Sequence, residues 1–515
     1  MIDYAALGQA IDIVFQLNTL LWLLVGISVG IGVGAMPGLQ ASTAVALMLP
    51  LTFTMPLGSA LGLLIGLYKG AIFGGSISAI SFSTPGTPEA AATVFDGYKL
   101  MRAGKGRKAL LTALYSSITA DLASDVLTIM IAPMLAIVAL KFGPAERFWV
   151  MMLAITLIGS LSGDHLAKGL FSAAFGLFIG TIGTDPIGAI SRNTFGLWWL
   201  SDGIPFPPML IGVFAMAMVF NELLNPPMID AAKDQARKLA ENLLKKSEGL
   251  SAREFFRCWK EISIGFGVGS FVGLLPGLGA TAGAFLSYAV ARYASPSKGI
   301  GSGKIEGIAA AEAGNNATVG PTLVPLLAFG IPGSATAALI GGALVLQGAT
   351  PSPRMFELFP HVIYALFIIL IVGNIANLGL GRIFAFAYAK IGEVPKQYLI
   401  PVIGIMAIVG SYVYEENPYH VLLMLIFGLV GLVFRLCKIP EAPMVITFLL
   451  APLAEENIRR ALLIGGGDWV ATLMNSPISI ALAVLSLGSI VFSARVRVYQ
   501  RIAEMRASEL GDLRE

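Results

Sequence analysis

The sequence GISVGIGVGAMPGLQA, residues 26–41, recurs in the second half of the chain. It aligns without a gap with GFGVGSFVGLLPGLGA, residues 265–280, and nine of the sixteen positions are identical. A second pair follows in the same order, because Phe82–Ala91 aligns with Phe329–Ala338 and each contains Pro-Gly followed by a hydroxyl residue. Two matches in one order indicate an internal duplication.

The composition is that of a membrane protein. Of the 515 residues, 56% are hydrophobic and 13% are charged, whereas soluble domains have about 25% charged residues. Apolar stretches suited to crossing a bilayer lie at Ala109–Leu140, Arg147–Ser162, Phe206–Asn221, Val362–Leu380 and Val470–Phe492. Since a span needs roughly 20 mostly apolar residues, the sequence predicts an all-α polytopic membrane protein with about a dozen membrane segments.

One polar stretch separates the two halves of the chain. We predict a first membrane repeat at 1–228, a polar cytoplasmic linker at 229–261, a second membrane repeat at 262–494 and a cytoplasmic, Arg-rich tail at 495–515.

The distribution of Lys and Arg predicts that the repeats are inverted. Residues 1–18 contain none, whereas the linker before the second repeat contains eight. Residues 99–108, after the first Pro-Gly-Thr, contain five, whereas 347–357, after Pro-Gly-Ser, contain one. Because basic loops stay in the cytoplasm, opposite bias at equivalent positions predicts opposite orientation, with the N-terminus outside and the C-terminus inside. Arg459 and Arg460 do not fit, since this scheme places them in an outside loop.

The scheme constrains the Pro-Gly-Leu segments. If 1–18 and 51–57 both lie outside, the chain between them enters and returns, and Pro37-Gly38 lies near the turn of a re-entrant hairpin. Pro276-Gly277 would do the same from the inside. The alternative is an ordinary span kinked at proline.

Each break is followed by residues that suit the start of a helix. Thr87-Pro88-Glu89 and Ser334 are typical of helix N-termini, and Ser42, Thr43 and Thr281 follow the Pro-Gly-Leu breaks. Helix N-termini attract anions through unpaired amides. Inverted repeats with broken helices are typical of the substrate site of a secondary transporter.

Several polar residues lie within the apolar segments, where ionisable groups are costly and often functional. Asn315 and Asn316 either contact substrate or an ion, or bond local backbone. Lys69 either neutralises a substrate carboxylate or pairs with a buried acid. Asp121 and Asp125 share a helix face and are candidates for a cation or proton site, as is Glu312.

Other signals argue against alternative functions. The segment KGIGSGKI, residues 298–305, has Lys298 and Ile305 at positions where a nucleotide-binding loop requires glycine and Ser or Thr. The net charge of +3 gives no reason to expect a nucleic-acid partner. Cys258 and Cys437 lack metal-ligand spacing, and no histidine base accompanies the hydroxyl-rich breaks. We predict neither an enzyme nor a metal cofactor.

Taken together, these motifs resemble the large membrane subunit of tripartite tricarboxylate transporters, the TctA type. The similarity spans nearly the whole chain and includes GAMPGLQ, GLLPGLG, the Gly-Gly-Ser…Pro-Gly-Thr…Asp-Gly-Tyr block and the Ile-Glu-Gly…Asn-Asn…Gly-Ile-Pro-Gly-Ser block. Phe73, Ser83 and Lys99 depart from residues common in the family. Phe73 and Ser83 lie close to the predicted site in sequence and put citrate in doubt, but not the carboxylate class.

The resemblance implies uptake of organic di- or tricarboxylates across the bacterial inner membrane, driven by a Na⁺ or H⁺ gradient. It also implies a small four-helix membrane subunit (TctB type) and a periplasmic substrate-binding protein (TctC type). The alternative is an anion channel or a transporter of another small anion. The predicted substrate site consists of Pro37, Gly38, Ser42, Thr43, Ser83, Pro85, Gly86, Thr87, Pro276, Gly277, Thr281, Asn315, Asn316, Pro332, Gly333 and Ser334.

Overall fold

The computed structural model describes residues 3–37, 39–161, 166–185, 190–224, 247–295, 299–391 and 396–491. Gly38, Lys298, residues 229–246 of the predicted linker and the predicted C-terminal tail lie outside the described residues. Within them, six helices are long and apolar enough to cross a membrane, and six shorter apolar helices accompany them. The prediction of an all-α polytopic membrane protein is confirmed.

Most of the described residues lie in α-helices. As far as residue 224 they are α1 (Tyr4–Val14), α2 (Leu17–Gly34), α3 (Ala41–Met48), α4 (Leu57–Phe82), α5 (Val94–Arg102), α6 (Gly106–Leu140), α7 (Pro144–Leu161), α8 (Leu166–Ile179), α9 (Phe206–Leu210) and α10 (Ala217–Leu224). From residue 252 onward they are α11 (Ala252–Arg257), α12 (Trp259–Leu274), α13 (Gly279–Ala294), α14 (Ile305–Asn316), α15 (Leu323–Phe329), α16 (Ala335–Leu346), α17 (Met355–Leu358), α18 (Pro360–Ile391), α19 (Lys396–Val413), α20 (Pro418–Leu436), α21 (Glu441–Ile464), α22 (Trp469–Leu473) and α23 (Pro477–Val491).

Shorter elements complete the chain. They are the 3₁₀ helices Leu49–Thr54, Pro88–Thr93 and Trp198–Leu200, the π-helix Ile211–Met216 that joins α9 to α10, and the paired strands β1 (Gly183–Thr184) and β2 (Ser191–Arg192).

The chain divides into two compact units, and each takes segments from both halves of the sequence. The first unit consists of Met1–Leu140 and Pro205–Val433, and the second of Lys141–Ile204 and Phe434–Glu515. Both pairs of matching motifs lie in the first unit.

Glycines allow α2 to lie directly against α4. A Cβ on Gly26 would lie 2.3 Å from the carbonyl oxygen of Leu63, and one on Gly34 would lie 2.2 Å from that of Ala71. No side chain fits at such distances, so glycine is required for this close packing. The residue numbers of the contacting positions increase together along both helices, so the two helices run in the same direction.

Because α2 and α4 are parallel, the chain between them must turn back. A Cβ on Gly58, at the start of α4, would lie 2.7 Å from the side chains of both Ile13 and Thr19, beside the start of α2. The return is made by α3 and the 3₁₀ helix Leu49–Thr54. Pro37 therefore lies at the turn of a hairpin rather than at a kink in a single span.

The second Pro-Gly-Leu segment forms a hairpin of the same kind. Lys260 Nζ, at the start of α12, donates a 2.8 Å hydrogen bond to the carbonyl oxygen of Ala294, at the end of α13. The outgoing and returning helices thus begin and end together, with Pro276 at the turn. A Cβ on Gly269 would lie 2.4 Å from the Gly314 carbonyl oxygen, so glycine again allows the outgoing helix to pack closely, here against α14.

The two hairpins enter from opposite ends of α4. The first begins beside Gly58, at the N-terminal end. At the C-terminal end, α5 packs against Ile80 through Gly97. The neighbouring Asp96 accepts a 2.8 Å hydrogen bond from Tyr288 of α13, the helix that ends beside the start of α12. The hairpins therefore have the inverted arrangement that the Lys and Arg distribution predicts.

The second unit is built around α21, which packs against α7 and α8. A Cβ on Gly176 would lie 2.2 Å from the Met444 carbonyl oxygen, and Ser172 Oγ donates a 2.6 Å hydrogen bond to that of Pro440. Small and hydroxyl residues on α8 thus bring the two helices into close contact.

Two expectations for the late segments were wrong. Val470–Phe492 is not one continuous span, because α22 ends at Leu473 and α23 begins at Pro477, a residue that cannot continue the preceding helix. Arg459 and Arg460 lie within α21 rather than in a loop. Carboxylates pair with both, since Arg459 contacts Asp185 and Glu455, and Arg460 contacts Glu456.

Candidate functional site

The two Pro-Gly segments adopt the same local structure. The Gly86 amide donates a 3.2 Å hydrogen bond to the carbonyl oxygen of Gly75, and the Gly333 amide donates a 3.1 Å hydrogen bond to that of Thr322. Gly75 and Thr322 occupy equivalent positions when Phe82 is aligned with Phe329. The shared hydrogen bond is therefore a structural counterpart of the sequence match.

Each Pro-Gly segment contacts the hairpin of its own repeat. The Gly277 amide, in the turn of the second hairpin, donates a 2.9 Å hydrogen bond to the Gly333 carbonyl oxygen. In the first repeat, a Cβ on Gly86 would lie 2.0 Å from the carbonyl oxygen of Gly34, the last residue of α2. The backbone breaks of each repeat are therefore adjacent.

The helix that follows each Pro-Gly segment packs against the hairpin of the other repeat. Helix α16, after Gly333, contacts α3, which returns from Pro37. The 3₁₀ helix Pro88–Thr93, after Gly86, contacts α13, which returns from Pro276, and also α14. All four breaks in the sequence thus come together in the first unit. The region where the breaks of the two repeats meet is called the central region below.

The two helix starts after Pro-Gly differ. Ser334 is the N-cap of α16, and its hydroxyl accepts a 3.1 Å hydrogen bond from the amide of Ala337, as the sequence predicts. Thr87 occupies the N-cap position before Pro88, but its side chain does not cap, and the following element is a six-residue 3₁₀ helix. Thr87 therefore occupies the predicted N-cap position but does not make the capping hydrogen bond that the prediction implied.

The hydroxyl residues after Pro-Gly-Leu lie inside their helices rather than at the caps. Ser42 and Thr43 are buried in the first turn of α3, whose N-cap is Gln40 without a capping side chain. Thr281 lies in the first turn of α13 and is half-buried. The amides at these two helix starts therefore have no side-chain cap.

Tyr68 connects the two repeats in the central region. Its hydroxyl lies 3.4 Å from Thr322 Oγ1, and it also interacts with Ser334. Asn315 is the residue equivalent to Tyr68 in the second repeat. It is fully buried, and neither atom of its amide group has a hydrogen-bond partner among the described residues.

Helix α14, which carries Asn315, packs against the 3₁₀ helix that follows the first Pro-Gly segment. Ala311, one turn earlier on the same face, packs in one cluster with Ala92 of the 3₁₀ helix that follows Thr87. Tyr68 and Asn315 thus occupy equivalent positions, and Tyr68 reaches the Pro-Gly segment of the other repeat through Ser334. Of the two asparagines, Asn315 has no partner for either amide atom among the described residues, whereas Asn316 lacks one for Oδ1 alone.

Asn316 belongs to a hydrogen-bond network between α14 and α6. Its Nδ2 donates to Ser117 Oγ at 2.8 Å and to the Glu312 carbonyl oxygen at 3.0 Å. The Glu312 carboxylate accepts from Ser117 Oγ at 3.1 Å and from Thr93. For Asn316 the structure favours the local hydrogen-bonding role, and for Glu312 it shows hydroxyl partners.

Lys69 is equivalent to Asn316 and also points to α6. Its Nζ lies 2.8 Å from an oxygen of Asp121 and 2.8 Å from one of Asp125, and all three side chains are buried. Asn374 of α18 donates a 2.7 Å hydrogen bond to Asp125. Of the two roles that the sequence leaves open, the structure gives Lys69 the pairing with buried acids. Asp121 and Asp125 share one face, as predicted.

The glycine-rich segment that superficially resembles a nucleotide-binding loop binds a carboxylate of its own chain. The amides of Gly301, Gly303 and Lys304 donate hydrogen bonds of 2.7–3.0 Å to Asp96. Successive backbone amides form a concave anion site of this kind. Asp96 therefore fixes this connection between α13 and α14.

The remaining predicted site residues fall in two groups. Pro37, Pro276, Gly277, Pro85, Gly86, Pro332 and Gly333 lie in the four breaks, as expected, and Gly38 lies outside the described residues. Ser83 is exposed and has a left-handed backbone conformation, with φ 60°. It ends α4 as Gly330, with φ 74°, ends α15, so its position has a conformational role.

Sequence reasoning missed several residues of the central region. Tyr68, Ser117, Thr322 and Asn374 all make buried polar contacts there. Extending the alignment of Phe82 with Phe329 toward the N-terminus would have paired Tyr68-Lys69 with Asn315-Asn316. For Ser117 and Asn374, on long apolar helices, the sequence carries no comparable signal.

Comparisons with known proteins agree with the motifs. Residues 20–446 match the tripartite tricarboxylate transporter TctA family. The chain is 34% identical over 428 residues to an uncharacterized 52.8 kDa protein in the TAR-I ttuC' 3'region of Agrobacterium vitis, covering 83% of each chain. It is 34% identical over 226 residues to an uncharacterized protein in the TAR-II ttuC' 3'region of the same organism, covering 44% of this chain and 93% of that one. No solved structure matches significantly. This protein therefore belongs to the tripartite tricarboxylate transporter TctA family.

Proposed function

We propose that the chain is the permease subunit of an ion-gradient-driven uptake system for organic di- or tricarboxylates. The observation that carries this proposal is the convergence of four backbone breaks on one buried region, where the helix after each Pro-Gly segment packs against the opposite hairpin. Family membership supports a transporter, and the geometry supports a site shared by two inverted repeats.

The chemistry of the central region suits a carboxylate. The starts of α3 and α13 have backbone amides without side-chain caps, and helix N-termini attract anions. The Asn315 amide and the Thr87 hydroxyl are further buried polar groups of the first unit that have no hydrogen-bond partner among the described residues. Since Lys69 already pairs with two acids, the anion would be held by amides and hydroxyls rather than by a free cation.

The remaining parts of the system follow from the family rather than from this chain. In our proposal the protein lies in the bacterial inner membrane with its N-terminus periplasmic and its C-terminus cytoplasmic. A small four-helix membrane subunit accompanies it, and a periplasmic binding protein delivers the substrate.

Uptake by the reconstituted system tests the proposal. Proteoliposomes that contain the chain and its small membrane subunit are supplied with the periplasmic binding protein and labelled mono-, di- and tricarboxylates. We expect concentrative uptake of at least one di- or tricarboxylate, which depends on the binding protein and on an ion gradient. The Asn315→Ala variant should raise the half-saturating concentration, whereas Gly267→Ala, at a position with open space around it, should not.

Two results would contradict the proposal. Flux that needs neither the binding protein nor a gradient would favour an anion channel, the alternative function. If the binding protein bound no carboxylate but another anion, the substrate class would be wrong while the transport function could still hold.

A further inference from the structure

Three ionisable side chains, those of Lys69, Asp121 and Asp125, form a cluster that we call the triad, and the amide of Asn374 is hydrogen-bonded to it. The charges of the triad do not cancel. One ammonium group lies between two carboxylates at 2.8 Å from each, so the triad carries one net negative charge when all three groups are ionised. The residues of the triad are fully buried. An uncompensated charge at such depth is costly, so binding one positive charge would stabilise the cluster.

The two carboxylates have different surroundings. Asp125 accepts hydrogen bonds from both Lys69 and Asn374, whereas the Asp121 side chain has Lys69 as its partner among the described residues. The Oδ1 atoms of Asp121 and Asp125 are both buried without a hydrogen-bond partner there, and so is Oδ1 of Asn374, so the two carboxylates differ in the bonds to their Oδ2 atoms. Hydrogen bonds to a carboxylate favour its charged form, so Asp125 holds its charge better than Asp121.

The charge to be added is better supplied by a proton than by a metal ion. The Lys69 ammonium already occupies the space between the carboxylates, and a second cation beside it would be repelled. A proton needs only one carboxylate oxygen without a partner. Of the two that qualify, Asp121 Oδ1 belongs to the carboxylate with fewer hydrogen bonds, whereas Asp125 Oδ1 lies against Gly320.

The other charged groups around the triad do not supply this charge. Glu312 of α14 bonds to Ser117, one turn before Asp121, and Tyr68 is the neighbouring titratable group on α4. The packed helices α2 and α15 contain no charged residue, and Arg382 of α18 is exposed. The charged residues of α5 and α12 include Asp96, which binds the 301–304 segment, and Lys260, which binds the end of α13.

The triad is linked to the second Pro-Gly segment through the turn between α14 and α15. A Cβ on Gly320 would lie 2.6 Å from Asp125 Oδ1, so the turn between α14 and α15 lies against the triad. That turn leads to Thr322. The carbonyl oxygen of Thr322 accepts a hydrogen bond from the Gly333 amide, and its hydroxyl contacts that of Tyr68. One short backbone segment therefore joins the triad to the central region.

We propose that Asp121 is the proton-binding group of the transport cycle. In one step, an Asp121 carboxylate oxygen takes a proton from solution on one side and becomes a carboxylic acid, while Lys69 stays paired with Asp125. The triad then has no net charge, and it returns to one negative charge when the proton leaves to the other side. This inference rests on the proposed transport function and names its coupling ion.

The test is uptake by proteoliposomes of the complete system with and without an inward proton gradient. In the wild type we expect uptake to rise by about tenfold with the gradient, a size typical of coupling between two sites, and the outer medium to become more alkaline as substrate enters. In Asp121→Asn the ratio of uptake with and without the gradient should fall to about one. Asp12→Asn, at an exposed carboxylate of α1, should keep the wild-type ratio.

Each outcome separates this inference from the proposed function. A wild type that transports no carboxylate overturns the proposed function itself. Uptake driven by Na⁺ without proton movement, or an Asp121→Asn variant with the wild-type ratio, overturns the proton role alone. If Asp121→Asn is inactive, the Asp121→Glu variant decides. If its carboxylate restores a higher uptake with the proton gradient than without it, the proposal is supported. If Asp121→Glu is also inactive, the triad has a structural role and the proposal is overturned.

Discussion

The two Pro-Gly segments share a backbone structure and differ in the helix that each one leads into. In both FSTPGT and FGIPGS, the glycine after proline bonds to a carbonyl eleven residues earlier, and each segment contacts its own hairpin. Yet Ser334 caps a twelve-residue α-helix, whereas Thr87 precedes a 3₁₀ helix of six residues that it does not cap. The duplication thus retains the break itself, while the helix start after it has diverged.

The same divergence appears one helix earlier. In the first repeat α4 runs unbroken from Leu57 to Phe82, whereas the second repeat divides the corresponding stretch into α14 and α15. The interruption between them is the turn that lies against Asp125. Equivalent residues that point to α6 have also diverged, from Lys69 to Asn316. The first repeat therefore carries the buried triad of Lys69, Asp121 and Asp125, and the second repeat carries the backbone turn that lies against it.

The largest effect is expected where the two segments are most alike. Alanine at Gly86 would bring a Cβ within 2.0 Å of the Gly34 carbonyl oxygen, and at Gly333 within 2.6 Å of that of Thr322. Forcing an extra carbon into packed backbone costs about 1–3 kcal/mol, so we expect uptake per molecule in the membrane to fall by about tenfold or more in both variants.

Matched glycines without close neighbours provide the control. Gly32 in α2 and Gly267 in α12 have open space around them, so Gly32→Ala and Gly267→Ala should retain uptake. If only one of Gly86→Ala and Gly333→Ala impaired transport, the two segments would not be equivalent.

The next effect separates the two neighbouring asparagines. Asn316→Ala leaves buried Ser117 and Glu312 groups with fewer partners, which costs about 1–3 kcal/mol and should lower the Tm in detergent. Asn315→Ala removes an amide that has no partner among the described residues, so the Tm should change little while the half-saturating substrate concentration rises. The reverse pattern would exchange the roles we give to the two residues.

The cap difference predicts a smaller effect. Ser334→Ala removes the hydrogen bond to the Ala337 amide and should lower the free energy of unfolding by about 1 kcal/mol, with partial recovery in Ser334→Asp. Thr87→Ala removes no capping bond, so thermal unfolding should show no corresponding loss. An equal loss in both variants would mean that Thr87 caps after all.

The left-handed ends of α4 and α15 predict a change of opposite sign. Ser83 has φ 60° where its counterpart is Gly330, and glycine adopts this conformation without the strain of about 1–2 kcal/mol that other residues incur. Ser83→Gly should therefore raise the Tm slightly, and Gly330→Ala should lower it. A lower Tm in Ser83→Gly would show that the serine side chain matters more than its backbone.

The smallest effect concerns α11, the short helix before the second hairpin. Before the second hairpin, Lys108 bonds to Glu254 at 2.6 Å, and with the Ser251 amide it lowers the pKa of Glu254 to about 2. A lowered folded-state pKa stabilises the protein above the ordinary value of about 4.5 and loses that effect as the pH falls toward about 2. Lys108→Met should thus lower the Tm slightly at pH 7. The difference from wild type should narrow below about pH 4.5, and a constant difference would exclude this ion pair as its cause.

The sequence predicted features that depend on local pattern and on repetition. Gly26, Gly34 and the Pro-Gly pairs indicated the internal duplication, and the Lys and Arg counts predicted that the two hairpins enter from opposite sides. It could not show that Thr87 leaves its helix uncapped, because a 3₁₀ start and an α start share the same cap residues. Nor could it choose a partner for Lys69, because Asp121 and Asn374 come beside it only when α6 and α18 pack against α4.

The opposed entry of the two hairpins is the central claim, and sided labelling tests it most directly. Phe53 precedes the start of α4, and Ala103 follows α5, the helix that packs beside the C-terminal end of α4. Single cysteines at these positions, in a chain with Cys258 and Cys437 replaced by serine, are exposed to a membrane-impermeant thiol reagent in intact cells and in inverted vesicles. We expect Phe53→Cys to react from the periplasmic side and Ala103→Cys from the cytoplasmic side. Reaction of both from the same side would contradict the inverted arrangement and, with it, the shared site.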